Sequence, residues 1–277
     1  MHKPIITFVF AVAGNDKHFI NVQRAINSLT KIKSVSYKIQ VITDKARKRT
    51  ISDGVEWIPY SGDLSRKERH QYWRMRYDLH KYVDTDYTMY CDSDTVLCND
   101  TIVFKISEIG ELFGICQHFW VPTLFDYIQK ACNLEASKEI SILSNGFNTP
   151  FIASGAFIFK NSSRNINIIK RVGDYYNMIY PKGSPYREGL TDEVWLTLAL
   201  QGQWRNVHLL GGSFNHCCEK QIMPIRMNGD IIEGKNPFEC ENFEPITLLH
   251  CDPFRRDPSI GYDQKMSDKI KELFQLC

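Results

Sequence analysis

Two aspartates one residue apart follow a short apolar run in this chain. Residues Tyr87 to Tyr90 favour a β-strand, and Asp92 and Asp94 come directly after it. Residues i and i+2 of a strand point to the same side, so both carboxylates can converge on one point past the strand end. Neighbouring carboxylates repel each other unless a cation lies between them. Their oxygens suit Mg²⁺ or Mn²⁺, which commonly complete their coordination with substrate phosphates. The pattern favours a divalent metal site over a solvated acidic turn only if the surrounding elements place the pair at a ligand-binding edge.

The elements that must position the pair alternate between strand and helix. The nearly continuous apolar run Ile5–Val12 is typical of a strand buried on both faces, and the apolar spacing from Phe19 to Leu29 is helical. Further strands are predicted at Tyr37–Thr43, Val55–Tyr60 and Tyr87–Tyr90, with a helix over residues 65–81. Such alternation produces a Rossmann-like, mostly parallel sheet flanked by helices. We therefore predict an α/β fold.

Polar turns follow three of these predicted strands. They are Gly14-Asn15-Asp16, Thr43-Asp44 and Asp92-Ser93-Asp94. Ligands of parallel α/β sheets bind outside the carboxyl ends of the strands. The coincidence of three polar turns at one edge predicts a nucleotide site there.

The second half of the chain is less regular. We predict helices at Ile102–Ile109, Ile166–Tyr180 and Asp192–Leu200, and strands at Leu112–Gln117, Phe151–Phe159, Val207–Leu210 and Ile246–His250. The strand Phe151–Phe159 is expected to be interrupted at Ser154-Gly155. Residues 120–148 are expected to form a helix and loop over the site, and residues 211–245 to be loop-rich. Because no repeat, linker or low-complexity segment divides the chain, we predict a single domain over residues 1–277.

Composition narrows the class of protein. Apolar residues make up 43% of the chain and charged residues 24%, as in ordinary globular proteins. A net charge of +2 gives no electrostatic reason to expect nucleic acid as a partner. The nine cysteines are odd in number and contain no C-x-x-C pair, which argues against a zinc ribbon. The apolar run near the N-terminus is too short to span a membrane. We therefore expect reduced thiols, a cytoplasmic location and no transmembrane segment.

Five segments in chain order resemble the family of glycogenin and the lipopolysaccharide galactosyltransferases. They are Tyr72-Trp73-Arg74-Met75 followed by Tyr90-Cys91-Asp92-Ser93-Asp94; Phe151 to Phe159; Leu190 to Leu196 with its Thr191-Asp192-Glu193; Gly212-Ser213-Phe214-Asn215; and Leu248-Leu249-His250-Cys251 followed by Arg256-Asp257-Pro258. The resemblance covers roughly residues 5–258. It implies the GT-A fold, with residues 1–100 binding the nucleotide sugar and residues 101–277 forming the acceptor side.

The resemblance also implies an activity. A protein that resembles this family is expected to be a metal-dependent glycosyltransferase. It would move a hexose from a UDP-sugar donor to a hydroxyl of a glycan, protein or lipid acceptor, with retention of the anomeric configuration. Asp92, Asp94 and His250 would then hold Mn²⁺ or Mg²⁺, and the histidine would favour Mn²⁺. Glu193 would lie beside the anomeric carbon, as an electrostatic stabiliser or a transient nucleophile, and Asp192 would bind hydroxyls of the donor sugar.

Further donor contacts are implied along the same edge. Arg74 would hold the donor sugar, although a surface salt bridge is the alternative for this residue, and Arg256 would bind the phosphates. The nucleoside would lie over Ala11, Ala13, Asn15 and Asp16, with Asp44 near the ribose or base and Ser93 against the ribose. On the acceptor side, the candidates for stacking on a sugar, or else for core packing, are Phe119, Trp120, Phe147, Phe214 and His216.

Three departures from the family pattern predict a divergent member. Ala153 stands where the family has asparagine, Glu193 where it has glutamine, and Arg256 where it has lysine. Other retaining GT-A families place Asp-Glu at this helix start, so Glu193 is compatible with the chemistry.

Two other classes of protein compete with the transferase. A nucleotidyltransferase-like nucleotide-sugar enzyme usually carries a glycine-rich loop with arginine or lysine after its first strand, whereas residues 11–16 contain no arginine or lysine. A non-catalytic, carbohydrate-binding homologue would have no need of both acidic pairs and His250.

Overall fold

The computed structural model describes residues 4–44, 54–62, 68–118, 121–131, 149–179, 191–217, 224–235, 242–251, 253 and 257–275. Its strands are β1 (Ile5–Val12), β2 (Ser36–Thr43), β3 (Val55–Pro59), β4 (Tyr87–Cys91), β5 (Thr95–Leu97), β6 (Phe113–Gln117), β7 (Ile152–Lys160), β8 (Val207–Leu210), β9 (Asn215–Cys217), β10 (Ile225–Asn228), β11 (Ile231–Gly234), β12 (Glu244–Pro245) and β13 (Leu248–His250). Its helices are α1 (Asp16–Ser28), α2 (Glu68–Asp78), α3 (Ile102–Ile109), α4 (Leu124–Ala131), α5 (Ser163–Ile179), α6 (Asp192–Leu200) and α7 (Gln264–Phe274).

The central sheet has seven strands in the order β3-β2-β1-β4-β7-β6-β8. Neighbours among β3, β2, β1 and β4 are parallel, and so are β6 and β8. Strand β7 runs antiparallel to both β4 and β6. The predicted mostly parallel sheet is confirmed, and β4, whose end carries the acidic pair, lies near its centre.

Helices cover both faces of this sheet. The apolar side chains of β1 point alternately to one face and the other, so each face must be covered. Ile6, Phe8 and Phe10 pack with α1 and α3 on one face. Val9 and Ala11 pack with α2, α5 and α6 on the other. This two-sided burial is the reason that β1 reads as a continuous apolar run in the sequence.

A second, smaller sheet extends the carboxyl edge of the first. It has the order β5-β13-β9, with β13 antiparallel to β5 and parallel to β9. Strand β5 begins immediately after the acidic pair, and His250 is the last residue of β13. Helix α7 packs against this sheet through Met266, Ile270 and Leu273.

Two expectations from the sequence are wrong, and one helix was missed. Strand β7 continues through Ser154-Gly155, where its pairing with β6 shifts register instead of breaking. Residues 211–245 contain the short strands β9 to β12, and α7 was not predicted. Strands of two to four residues are too short to display a hydrophobic period, which explains why they were missed.

No disulfide joins Cys91, Cys98, Cys116, Cys217 or Cys251, the cysteines whose state the structure describes. Among the described helices, none combines the length and the apolar character that crossing a bilayer would require.

Candidate active site

The acidic pair lies in a tight turn between the two sheets. The backbone N–H of Asp92 donates to the carbonyl of Gly155 at 2.8 Å. The carbonyl of Asp92 accepts from the side chain of Thr95 at 2.7 Å and from its backbone N–H at 3.2 Å. These bonds tie the turn to β7 on one side and to β5 on the other, so the carboxylates have a fixed position at the carboxyl end of β4.

Strand pairing brings His250 to this turn. Because β13 runs antiparallel to β5, His250 pairs with Thr95, one residue after Asp94. Nε2 of His250 lies 3.1 Å from Oδ1 of Asp94. One potential ligand atom each from Asp92, Asp94 and His250 falls within 4.8 Å of the other two. Two carboxylates and an imidazole at this separation form a donor set that suits Mn²⁺.

Gly155 allows the histidine to approach. A Cβ atom at position 155 would lie 2.7 Å from Nδ1 of His250 and 3.1 Å from Nδ2 of Asn215, both closer than ordinary van der Waals contact. The Ser154-Gly155 pair in the sequence therefore marks a close approach between β7 and the smaller sheet.

Arg76, on α2, connects the acidic pair to a second acidic pair. Its Nη2 donates to Oδ1 of Asp92 and its Nη1 to Oδ2 of Asp192. Nη1 also lies 3.3 Å from the carbonyl oxygen of Ser154. Arg76 is 4% exposed, and its guanidinium carbon lies 4.4 Å from the centre of the Tyr90 ring. Burial lowers the pKa of Arg76, but Asp192 and Asp92 raise it well above its usual value, so the side chain is cationic.

Helix α6 presents the second acidic pair at its first turn. Thr191 is extended at the N-cap position, and Asp192 and Glu193 follow it. Asp192 is 6% exposed, and its backbone carbonyl accepts a long hydrogen bond of 3.4 Å from Tyr77. Burial and the neighbouring Asp192 raise the pKa of Glu193 to about 7. Glu193 therefore changes charge near neutral pH.

The charges at the metal cluster perturb one another. Burial raises the pKa of Asp92 to about 6, in opposition to Arg76 and His250, which lower it. Burial lowers the pKa of His250, but Asp94 and Asp92 raise it to about 9. His250 and Arg76 thus supply the positive charge that partly neutralises Asp92 and Asp94.

The remaining predicted donor contacts lie along the ends of β1 and β2. Oδ2 of Asp44 lies 3.3 Å from the backbone nitrogen of Gly14. Asn15 caps α1, with its Oδ1 3.0 Å from the backbone nitrogen of Lys17, and Asp16 lies in the first turn of that helix. The predicted nucleoside contacts Ala11, Ala13, Asn15, Asp16 and Asp44 therefore share this edge of the sheet with Ser93.

Arg74 does not contact either acidic pair among the described residues. Its Nη1 donates to Asn177 at 3.1 Å, and its Nε lies 3.5 Å from Asp78. This is the surface ion pair that was the alternative for Arg74. Arg256 lies outside the described residues, as do Phe119, Trp120 and Phe147. Phe214 and His216 are completely buried, so of the two alternatives for them the structure supports core packing.

Sequence reasoning missed Arg76 and Tyr90. Arg76 is three residues after Trp73 on α2, so it lies on the helix face of the aromatic residues, whereas Arg74 is rotated away from that face. Tyr90 is two residues before Asp92 and points to the same side of the strand end. The helical period could thus have identified Arg76, and the alternation of side chains along the strand could have identified Tyr90.

Comparison with known proteins finds the fold among glycosyltransferases. The galactosyltransferase LgtC, solved with donor and acceptor sugar analogues, is 15% identical over 97% of this chain and 95% of that chain, with a TM-score of 0.59. Mouse xyloside xylosyltransferase 1 is 12% identical over 89% of this chain and 97% of that chain (TM-score 0.52). The glycosyltransferase GlyE of Streptococcus pneumoniae is 14% identical over 98% of this chain and 60% of that chain (TM-score 0.54). No protein-family profile and no curated protein sequence matches the chain. The structural matches confirm the predicted GT-A fold.

Proposed function

We propose that this protein is a glycosyltransferase that uses a divalent metal to move a hexose from a UDP-sugar to a hydroxyl acceptor, with retention of the anomeric configuration. The observation that carries the proposal is the cluster of Asp92, Asp94 and His250 at the carboxyl edge of a GT-A sheet, joined through Arg76 to the acidic start of α6. LgtC was solved with donor and acceptor sugar analogues, which supports a sugar donor and a sugar acceptor for this fold.

In this proposal Asp92, Asp94 and His250 hold the metal, and their chemistry fits Mn²⁺ better than Mg²⁺ because one ligand is an imidazole nitrogen. When bound, such an ion neutralises the negative charge that develops on the departing nucleoside diphosphate. Arg256 is proposed to bind the same phosphates as a bidentate donor.

Arg76 takes the role that the sequence suggested for Arg74. It is a buried cation between the metal-binding acid Asp92 and the sugar-side acid Asp192. It can fix both carboxylates and offer positive charge to the donor where the sugar meets the diphosphate. Asp192 is proposed to accept hydrogen bonds from hydroxyls of the donor sugar.

Glu193 is proposed to lie beneath the sugar ring, on the side opposite the leaving phosphate. Positive charge develops at the anomeric carbon as the bond to the phosphate breaks. An ionised Glu193 stabilises that charge, or attacks the carbon transiently, and either route is compatible with retention. Its pKa of about 7 means that burial already limits its solvation before the donor binds.

The nucleoside is proposed to occupy the ends of β1 and β2. Asp44 is held at this edge by the backbone nitrogen of Gly14. Ala11 and Ala13, both buried here, are proposed to lie beneath the base. Asn15, Asp16 and Ser93 complete this side of the proposed donor site.

A screen of nucleotide sugars for metal-dependent hydrolysis tests the proposal. Purified protein is incubated with UDP-, GDP- and CMP-sugars and Mn²⁺, and released nucleotide is measured with and without chelator. UDP-glucose or UDP-galactose should be hydrolysed only with metal, and Asp94→Asn should remove the activity while leaving the far-ultraviolet circular dichroism unchanged. Hydrolysis of GDP- or CMP-sugars but not of UDP-sugars would contradict the proposal that the donor is a UDP-sugar. Binding of UDP-sugars without any turnover would favour a non-catalytic homologue.

A further inference from the structure

Two hydrogen-bond donors meet the same oxygen of Asp92. The hydroxyl of Tyr90 donates to Oδ1 at 2.7 Å, and Nη2 of Arg76 donates to the same Oδ1. Among the described residues, no donor contacts Oδ2. An ionised carboxylate oxygen has about two lone-pair sites, so both sites of Oδ1 are occupied and those of Oδ2 are available.

We propose that Tyr90 is a positioning residue that makes Asp92 a one-oxygen metal ligand, through Oδ2. The inference rests on the proposed function, because it concerns how the proposed metal ligand is oriented. A carboxylate without such donors can rotate about its last bond and bind an ion through either oxygen or both. Outer partners that fix a ligand in one orientation are a general determinant of metal affinity.

Packing holds the ring of Tyr90 where its hydroxyl can donate to Oδ1 of Asp92. Tyr90 is 1% exposed and pairs with Phe157 across β4 and β7, with ring centres 5.1 Å apart. The guanidinium of Arg76 covers the same ring at 4.4 Å. Rings that are fixed by a stacked neighbour and a cation have little rotational freedom, so the hydroxyl reaches Asp92 from one direction only.

A second buried tyrosine provides a matched control. Tyr60 is completely buried, and its hydroxyl donates to Oδ2 of Asp78, also at 2.7 Å. Asp78 is not a member of the metal cluster. Tyr60→Phe and Tyr90→Phe therefore remove the same kind of bond to the same kind of group, and they differ in whether that group is a proposed metal ligand.

The experiment measures Mn²⁺ binding rather than turnover. Free Mn²⁺ is quantified by electron paramagnetic resonance during titration of wild type, Tyr90→Phe and Tyr60→Phe, with and without UDP. Loss of an outer partner of a metal ligand typically weakens binding ~10–100-fold, so Tyr90→Phe should bind Mn²⁺ that much more weakly. Tyr60→Phe should bind like wild type. Equal affinity in Tyr90→Phe and wild type would overturn the inference, whereas no Mn²⁺ binding by wild type would overturn the proposed metal site as well.

A second measurement observes the carboxylates of the wild-type protein directly, and a variant serves only to assign the signal of Asp92. Protein with ¹³C-labelled aspartate carboxylates is examined by infrared spectroscopy as Mn²⁺ is added. The carboxylate bands of Asp92 are identified as those lost in Asp92→Asn. If Asp92 coordinates through one oxygen, the separation between its symmetric and antisymmetric stretching frequencies should widen when Mn²⁺ binds. A narrowed separation, typical of coordination through both oxygens, would contradict the proposal.

Discussion

Nδ1 of His250 lies 2.7 Å from the place that a Cβ atom would occupy on Gly155. Any side chain larger than hydrogen at position 155 must therefore displace the imidazole from Asp94. The same glycine accepts the backbone hydrogen bond of Asp92 through its carbonyl, at 2.8 Å. One residue thus sets the position of two of the three groups in the proposed metal cluster.

Gly155→Ala should weaken Mn²⁺ binding by ~10-fold or more, because it moves one ligand of the cluster away from the others. Overpacking should also cost ~1–3 kcal/mol of the free energy of unfolding. Titration calorimetry with Mn²⁺ and UDP measures the first effect. The control is Gly173→Ala on α5, where an added Cβ would meet only atoms at 3.7 Å and binding should not change. Unchanged affinity in Gly155→Ala would mean that His250 is not a ligand.

Arg76→Met should destabilise the metal-free protein by ~3–5 kcal/mol, because it leaves two carboxylates beside each other without their cation. Arg74→Met is the matched control on the same helix. Arg74 is partly exposed and pairs with Asp78 at 3.5 Å, so its loss should cost no more than ~1 kcal/mol. Urea unfolding of both variants, with chelator present, gives the comparison. Similar losses in the two variants would show that Arg76 is not the counter-ion of this site.

The contrast between these two arginines illustrates what the sequence could establish. The resemblance selected Arg74 by its place in a motif, whereas the position of the aromatic residues on the helix would have selected Arg76. The bounds of β1, α3 and α6 follow from their apolar residues, because β1 and α6 are buried almost throughout and α3 buries Ile102, Ile106 and Ile109.

Other parts of the site depend on contacts between distant segments. His250 reaches Asp94 only because β13 pairs with β5, a strand of three residues without any periodic signal. Position 155 likewise requires glycine because of a distant residue: a Cβ atom there would collide with His250, 95 positions later in the chain. Local propensity carries no information about such approaches, whereas a motif shared with a family can suggest them.

His118 should make the protein less stable in mild acid. Its burial lowers the pKa from 6.5 to about 4 in the folded state. Between these values the unfolded chain binds a proton at this residue and the folded protein does not, so the free energy of unfolding should fall as pH decreases from 6.5 to about 4. His118→Asn should reduce that dependence. Urea unfolding of both proteins across this range gives the difference in slope, and parallel curves would contradict the prediction.

Glu193 is the residue on which the proposed retaining chemistry depends most. Glu193→Gln keeps the shape of the side chain and its capacity for hydrogen bonding but removes the negative charge. The charge is needed chiefly when the anomeric carbon becomes positive, so kcat should fall far more than KM rises. Loss of one electrostatic stabiliser typically lowers kcat by ~10²-fold or more. Glu111→Gln, an exposed carboxylate that pairs with Lys160, is the control and should leave kcat unchanged.

The pH dependence and the stereochemistry of the product test the same role independently. Since burial and Asp192 raise the pKa of Glu193 to about 7, kcat/KM of wild type should rise with pH up to about 7 as the carboxylate forms. That acidic limb should be absent from the residual activity of Glu193→Gln. Proton NMR of the first product formed from an α-linked donor should show an α-linkage. A β-linked first product would mean that a carboxylate acts as general base on the acceptor hydroxyl instead, and near-wild-type turnover of Glu193→Gln would leave Glu193 as an ordinary residue at the start of α6.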